Sequence, residues 1–193
     1  MKSNIILSGV GGQGILSIAA IIDIAALDNN FNIKQSEVHG MSQRGGAVQS
    51  HVRISDKEIF SDLIPLGKAD VIISVEPMEL LRYLPFLKKK GMLITDSNPF
   101  NNISNYPELQ DLYKEIKSHP NTLLIDAKKI AKDLGNSKAT NIVLLGAASS
   151  ILPLSDESIK KAIKTLFERK GERVVKKNIE AYEIGKDLAL DLV

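Results

Sequence analysis

Hydrophobic periodicity near the start of the chain changes from strand-like to helix-like across a short glycine-rich segment. The continuous apolar run from Ile5 to Leu7 is typical of a buried strand. From Ile15 onward, apolar residues recur at intervals of three and four, which predicts a helix with one apolar face. That face consists of Ile15, Ile18, Ala19, Ile22 and Ala26. The pattern therefore predicts a strand, a glycine turn and a helix.

Further strands are predicted from alternating and from continuous apolar segments. Residues 31–38 form a second strand, and residues 47–54 alternate in a way that predicts a half-exposed strand with His51 and Arg53 on its polar face. After a turn, Glu58 to Ser61 can return as the second strand of a β-hairpin. The near-continuous apolar runs at 69–75, 92–95 and 123–125 predict strands of a parallel sheet that is covered on both faces.

Helical patterns separate and follow these strands. They cover residues 77–87, 107–118, 127–134, 140–152, 156–167 and 173–190, and Lys88 to Lys90 are interpreted as a solvated helix end. Strands that alternate with helices indicate an α/β fold. We expect an open, mostly parallel, Rossmann-like doubly wound sheet with a β-hairpin insertion and a helical C-terminal region, as one domain over residues 1–193.

Composition narrows the possible functions. The net charge of +2 is too close to balance to indicate nucleic-acid binding, and the longest apolar run, residues 142–152, is too short to span a membrane. A cytoplasmic protein is therefore expected. The sequence has no cysteine, which excludes disulfides, a thiolate nucleophile and a cysteine-ligated iron–sulfur cluster in this chain.

The glycine turn is the first candidate binding element. Gly9, Gly11 and Gly14 have the G-x-G-x-x-G spacing between a strand and a helix, where free amides and the helix dipole favour an anion such as a phosphate. The alternative is a turn that only closes the strand–helix junction. A nicotinamide or flavin site would also need an acid at the end of the second strand, and Glu37, the only acid there, opens a polar segment instead.

A polar segment over residues 36–46 is the second candidate. Gly45 and Gly46 allow consecutive amides to form an anion-binding concavity, and Arg44 adds a planar set of donors. The alternative is a turn in which Arg44 forms an internal salt bridge. His39 and Glu37 could form an acid–base pair, but a hydrogen-bonded loop histidine is the more common case. The histidines are not spaced as metal ligands.

Three blocks of sequence carry a resemblance to a known family. They are Ser-Glu-Val-His-Gly-Met-Ser-Gln-Arg-Gly-Gly at 36–46, Ser-His-Val-Arg at 50–53 and Leu-Ile-Pro-Leu-Gly-Lys-Ala-Asp at 63–70. The turn at 9–14 and the segment 76–83 match the same family. The chain resembles the beta subunits of indolepyruvate ferredoxin oxidoreductases, which correspond to the gamma domain of the wider 2-oxoacid:ferredoxin oxidoreductases. Asp62 is a departure, because the family usually has proline there.

The resemblance implies one subunit of an enzyme that converts an aryl or other 2-oxoacid and coenzyme A to an acyl-coenzyme A, carbon dioxide and reduced ferredoxin. Thiamine diphosphate and the iron–sulfur clusters would belong to the partner alpha subunit, so no catalytic residue or metal ligand is expected here. The expected binding surface, where the partner or coenzyme A would contact this chain, consists of Gly9, Gly11, Gly12, Gln13, Gly14, Arg44, Gly45 and Gly46.

Two further interpretations remain open at this point. One is a freestanding dehydrogenase that binds NAD or FAD, and the other is a purely structural assembly subunit. The interpretation as an oxidoreductase subunit requires that the glycine turn and the Arg44 segment lie side by side on one rim of the sheet.

Overall fold

The computed structural model describes residues 1–40, 45–101 and 103–190. Its core is a six-stranded mixed sheet with the order β2-β3-β1-β4-β5-β6. β1, β4, β5 and β6 are parallel, whereas β3 runs antiparallel to both β1 and β2. The strands are β1 (Lys2–Val10), β2 (Asn32–His39), β3 (Ala47–Ser55), β4 (Ala69–Ser74), β5 (Leu87–Asp96) and β6 (Thr122–Ile125).

Seven α-helices lie in the described part of the chain. They are α1 (Ile15–Asp28), α2 (Pro77–Arg82), α3 (Leu109–Lys117), α4 (Ala127–Asp133), α5 (Thr140–Ala148), α6 (Asp156–Phe167) and α7 (Glu172–Leu190). Local chemistry explains several starts: the Ser155 side chain caps α6 by accepting from the Ser158 amide, and Pro77 occupies the first turn of α2. None of these helices is long and apolar enough to cross a membrane.

The two faces of the sheet are covered differently. One face carries α1, α4, α5, α6 and α7 over the larger apolar core, whereas the other carries α2, α3 and Ile64 over a smaller core. On the face with the larger core, α5 and α7 approach closely at Gly146 and Gly185. A Cβ added at Gly185 would lie 1.9 Å from the carbonyl oxygen of Val143. The small residues there allow direct contact between the two helix backbones.

The structure confirms the predicted mostly parallel sheet and the helical C-terminal region, and it corrects the hairpin. Residues 58–61 form no strand, and the hairpin instead consists of β2 and β3. The prediction of a half-exposed β3 was also wrong, because the segment after it folds back over its polar face and buries His51 and Arg53. Lys88 to Lys90 lie in β5 and not at a helix end.

Candidate functional site

The glycine turn joins the end of β1 to the start of α1, and the side chain of Gln13 holds it in place. The Gln13 amide donates to the carbonyl oxygen of Val10 at 3.1 Å, and the Oε1 atom of Gln13 accepts from the Val10 amide at 2.7 Å. Its Nε2 atom donates to the carbonyl oxygen of Val75, just after β4, at 3.3 Å. Gln13 therefore ties together the ends of two neighbouring strands.

Three of the four glycines in the turn differ in what an added side chain would meet. A Cβ at Gly9 would lie 2.8 Å from Oε1 of Gln13, and a Cβ at Gly14 would lie 2.7 Å from Nδ2 of Asn141. Gly14 also has a φ of +82°, a conformation that favours glycine. Gly12, with a φ of +100°, has no heavy atom within 4 Å of where its Cβ would be. Packing thus requires Gly9 and Gly14, whereas Gly12 borders open space.

The second candidate loop lies directly beside this turn. The Gly11 amide donates to the carbonyl oxygen of Gly46 at 2.9 Å, so the two segments share the same edge of the sheet. At the base of the loop, the Gly40 amide donates to the carbonyl oxygen of Ala47 at 2.9 Å. Arg44 lies outside the described residues, and its place on this rim stays a prediction.

The start of α1 presents its amides to the rim without a side-chain cap. Gly14 is the N-cap residue, no acidic residue lies in the first turn, and no side chain caps the helix. Among the described residues, no acceptor contacts the amides of Gly12 or Gly14. The helix dipole adds to their partial positive charge, so this corner can stabilise an anion.

A cleft of about 770 Å³ opens beside the turn at the carboxyl edge of the parallel strands. Gly12, Gln13 and Gly14 form part of one wall, and Lys128, Lys138 and Lys170 line it from other elements. None of the ion pairs between described residues involves these three lysines. The cleft therefore combines free amides with cations and is suited to a phosphorylated ligand.

Buried polar side chains shape the cleft. The carboxylate of Asp96, at the end of β5, accepts from the amides of Ala127 and Lys128 at 3.0 and 3.3 Å, and burial raises the pKa of this carboxyl. Asn141 donates through Nδ2 to the carbonyl oxygen of Gly14 at 2.9 Å. Asp96 therefore anchors the start of α4 beside Lys128, and Asn141 ties α5 to the glycine turn.

Glu76 fixes a further wall of the cleft. This buried carboxylate accepts from the amides of Glu79 and Phe100, at 2.8 and 3.3 Å, and from the hydroxyl of Tyr106. Burial, together with the hydrogen bond to Glu76, raises the pKa of Tyr106. Through these bonds Glu76 joins the end of β4 to the segment after β5 and places Phe100 at the cleft.

A smaller cleft of about 450 Å³ lies on the other side of the turn, and its lining includes His39. The Nε2 atom of His39 is 3.1 Å from Oε2 of Glu37, and both side chains are partly exposed. The described residues include no group of three or more histidine, cysteine, aspartate or glutamate side chains that could hold a metal ion. This contact has the features of a surface hydrogen bond and lacks those of a metal site.

Strand order disfavours the dinucleotide interpretation. In dinucleotide-binding folds the second strand lies beside the first, which places its terminal acid near the ribose. Here β3 lies between β1 and β2, and Glu37 pairs with Ser50 near the middle of β3. Glu37 is therefore about 10 Å from β1, two strand spacings instead of one.

The sequence did not indicate the lysines of the larger cleft. Lys128 lies at the start of α4, Lys138 lies in the turn before α5, and Lys170 follows α6. Their separation along the chain leaves no local pattern, and only the fold brings them together. The one available signal was the general rule that ligands bind outside the carboxyl ends of parallel strands.

Comparison with known proteins agrees with this architecture. Residues 4–188 match the family model described as pyruvate ferredoxin/flavodoxin oxidoreductase. The chain is 38% identical to indolepyruvate oxidoreductase subunit IorB of Thermococcus kodakarensis and of Pyrococcus horikoshii, with 98% of this chain and 97% of each relative covered.

Solved structures show the same fold. A keto/oxoacid ferredoxin oxidoreductase gamma subunit from Geobacter sulfurreducens is 28% identical, with a TM-score of 0.69 and coverage of 98% of this chain and 99% of that one. The 2-oxoglutarate:ferredoxin oxidoreductase from Magnetococcus marinus, solved with 2-oxoglutarate, coenzyme A and succinyl-CoA, is 23% identical with a TM-score of 0.80. All of this chain is covered, but it spans only 32% of that longer chain. The chain therefore belongs to the pyruvate ferredoxin/flavodoxin oxidoreductase family, as the resemblance to indolepyruvate oxidoreductase beta subunits predicted.

Proposed function

We propose that this chain is the cysteine-free subunit of an indolepyruvate-type 2-oxoacid:ferredoxin oxidoreductase. The observation that carries the proposal is full-length similarity to IorB subunits at 38% identity. The complex would cleave the bond between the carboxylate and the oxo carbon of an aryl 2-oxoacid and release carbon dioxide. The acyl group passes to the sulfur of coenzyme A, and the electron pair passes to ferredoxin.

The electron-transfer cofactors would belong to a partner alpha subunit. Iron–sulfur clusters are held by cysteine thiolates, and this sequence contains no cysteine. Thiamine diphosphate would likewise be held by the partner and would supply the decarboxylation chemistry there. The part left to this chain is to bind the partner and to orient coenzyme A. We place the complex with its ferredoxin in the cytoplasm.

The cleft beside the glycine turn is the proposed site for the phosphates of coenzyme A. The amides of Gly12 and Gly14 and the ammonium groups of Lys128 and Lys138 would hold them, because each offers positive charge and none has a competing acceptor among the described residues. Gly9 and Gln13 would support the site by keeping the turn in shape. Gly11, Gly45 and Gly46, with Arg44, would form the adjoining rim that meets ligand or partner.

Reconstitution tests this proposal. The purified chain is combined with its co-expressed alpha subunit, and ferredoxin reduction is followed with indolepyruvate, phenylpyruvate, pyruvate or 2-oxoglutarate, with and without coenzyme A. We expect activity only when both chains and coenzyme A are present, with the highest kcat/KM for an aryl substrate. Full activity of the alpha subunit alone, or reduction of NAD by the isolated small chain, would contradict the proposal.

A further inference from the structure

The segment that buries the polar face of β3 is held by two side chains of that strand. Nη1 of Arg53 donates to the carbonyl oxygens of Ser61 and Leu63, at 2.6 and 3.0 Å. Nδ1 of His51 accepts from the amide of Ile64 at 3.0 Å. We call residues 58–67 the covering segment. It has no helix or strand of its own, and these bonds, with the one from the Gly67 amide to the carbonyl oxygen of Pro85 at 2.9 Å, hold its path across the sheet.

Burial of these two polar side chains costs free energy unless their polar atoms are hydrogen-bonded. Arg53 is only 8% exposed and forms no ion pair with any described residue, so its buried charge is compensated by the carbonyl oxygens of Ser61 and Leu63 and by Oδ1 of Asn4, which accepts from Nε at 3.1 Å. Burial lowers the pKa of His51, which favours the neutral ring that can accept the Ile64 amide. The strand thus uses two buried polar side chains to give a loop one fixed shape.

The covering segment buries two apolar side chains and exposes three. Ile59 and Ile64 are buried, and Ile64 joins the smaller core. The outward side chains are large and apolar: Phe60 is 86% exposed, Leu63 55% and Leu66 65%. A segment of fixed shape loses little conformational entropy when its exposed side chains are covered by another protein, so these residues are suited to docking.

We infer that the covering segment is a docking surface for the thiamine- and iron–sulfur-bearing subunit, an inference that rests on the proposed function. In the Magnetococcus marinus enzyme this fold makes up only 32% of a longer chain, so a fold of this kind also occurs covalently joined to a larger remainder. The IorB relative that this chain covers to 97% of its length is itself described as a subunit, so under the proposed function the larger part is a separate chain that binds from outside. Interfaces between permanently associated subunits are more hydrophobic than transient ones, and the three exposed apolar side chains of the covering segment have this character. Glu58 and Asp62 in the segment, balanced by Lys57 and Lys68 beside it, leave no net charge for electrostatic docking.

The test is a triple substitution, Phe60→Ser, Leu63→Ser and Leu66→Ser. A tagged alpha subunit is immobilised, and the Kd of the purified small chain is measured by biolayer interferometry. The matched control is Leu27→Ser with Leu190→Ser, since both leucines are 61% exposed but lie at helix ends outside the segment. Thermal unfolding of each isolated variant verifies its fold.

We expect the triple variant to fold and its Kd to rise at least about a hundredfold, whereas the control stays within about threefold of the wild type. An unchanged Kd would overturn the inference while leaving the proposed function intact. If the triple variant no longer self-associates but binds the alpha subunit with an unchanged Kd, the inference is also overturned, and a second copy of this chain is the partner that covers the segment. If the wild-type chain does not bind the alpha subunit, the proposed function itself fails.

Discussion

Replacing Gly14 by alanine should show how tightly packing constrains the glycine turn. Alanine at a φ of +82° costs about 1–2 kcal/mol of backbone strain. The new Cβ would also lie 2.7 Å from Nδ2 of Asn141, which must move and lose its hydrogen bond to the Gly14 carbonyl oxygen, for about 1 kcal/mol more. We expect a loss of about 2–3 kcal/mol in the free energy of unfolding.

Urea denaturation of four variants separates the two contributions. Gly12→Ala has comparable strain but open space around its Cβ, so it should cost only about 1–2 kcal/mol. Asn141→Ala removes the clashing side chain, so the double variant of Gly14 and Asn141 should cost less than the sum of the two single changes. Equal costs at Gly12 and Gly14, together with strict additivity in the double variant, would refute the reasoning.

Two other changes test the scaffold around the site. Gly185→Ala should destabilise the chain by about 3 kcal/mol or more in urea, because its Cβ would overlap the Val143 carbonyl oxygen, while Glu183→Ala on the same helix should cost below about 1 kcal/mol. Burial and the charge of Glu37 raise the pKa of Asp23 from 3.8 to about 6, so stability conferred by its protonated form is lost as pH rises through that range. Asp23→Asn should therefore raise the free energy of unfolding at pH 7 by about 1–2 kcal/mol, a value reduced because water partly screens this carboxylate. At pH 4 the substitution should change the free energy of unfolding by almost nothing. An equal gain at both pH values would contradict this expectation.

Local patterns were sufficient to predict the parallel half of the fold. The apolar runs in β4 and β5 predicted strands that are covered on both faces, and the structure has them so. The change of period after Gly14 identified the start of α1. The antiparallel half was harder because its pairing is non-local. Nothing in the alternation of β3 shows that Arg53 and His51 bond to a loop about ten residues later.

The candidate site was predicted only in part, for the same reason. The turn at Gly9 to Gly14 carries a local spacing, and its contact with Gly46 agrees with the expected shared rim. Gln13, however, is occupied within the turn by Val10 and Val75. The lysines of the cleft come from separate elements that only the tertiary fold assembles, so no local pattern could identify them.

The KM for coenzyme A of the reconstituted complex tests the central claim most directly. The double variant Lys128→Ala with Lys138→Ala is compared with Lys2→Ala with Lys90→Ala, which removes two cations from a cleft of about 710 Å³ at the opposite edge of the sheet. We expect the first pair to raise the KM at least about tenfold, with weaker dependence on salt, and the second pair to leave it unchanged. An unchanged KM in the first variant would contradict a coenzyme A site beside the glycine turn and would favour a purely structural subunit.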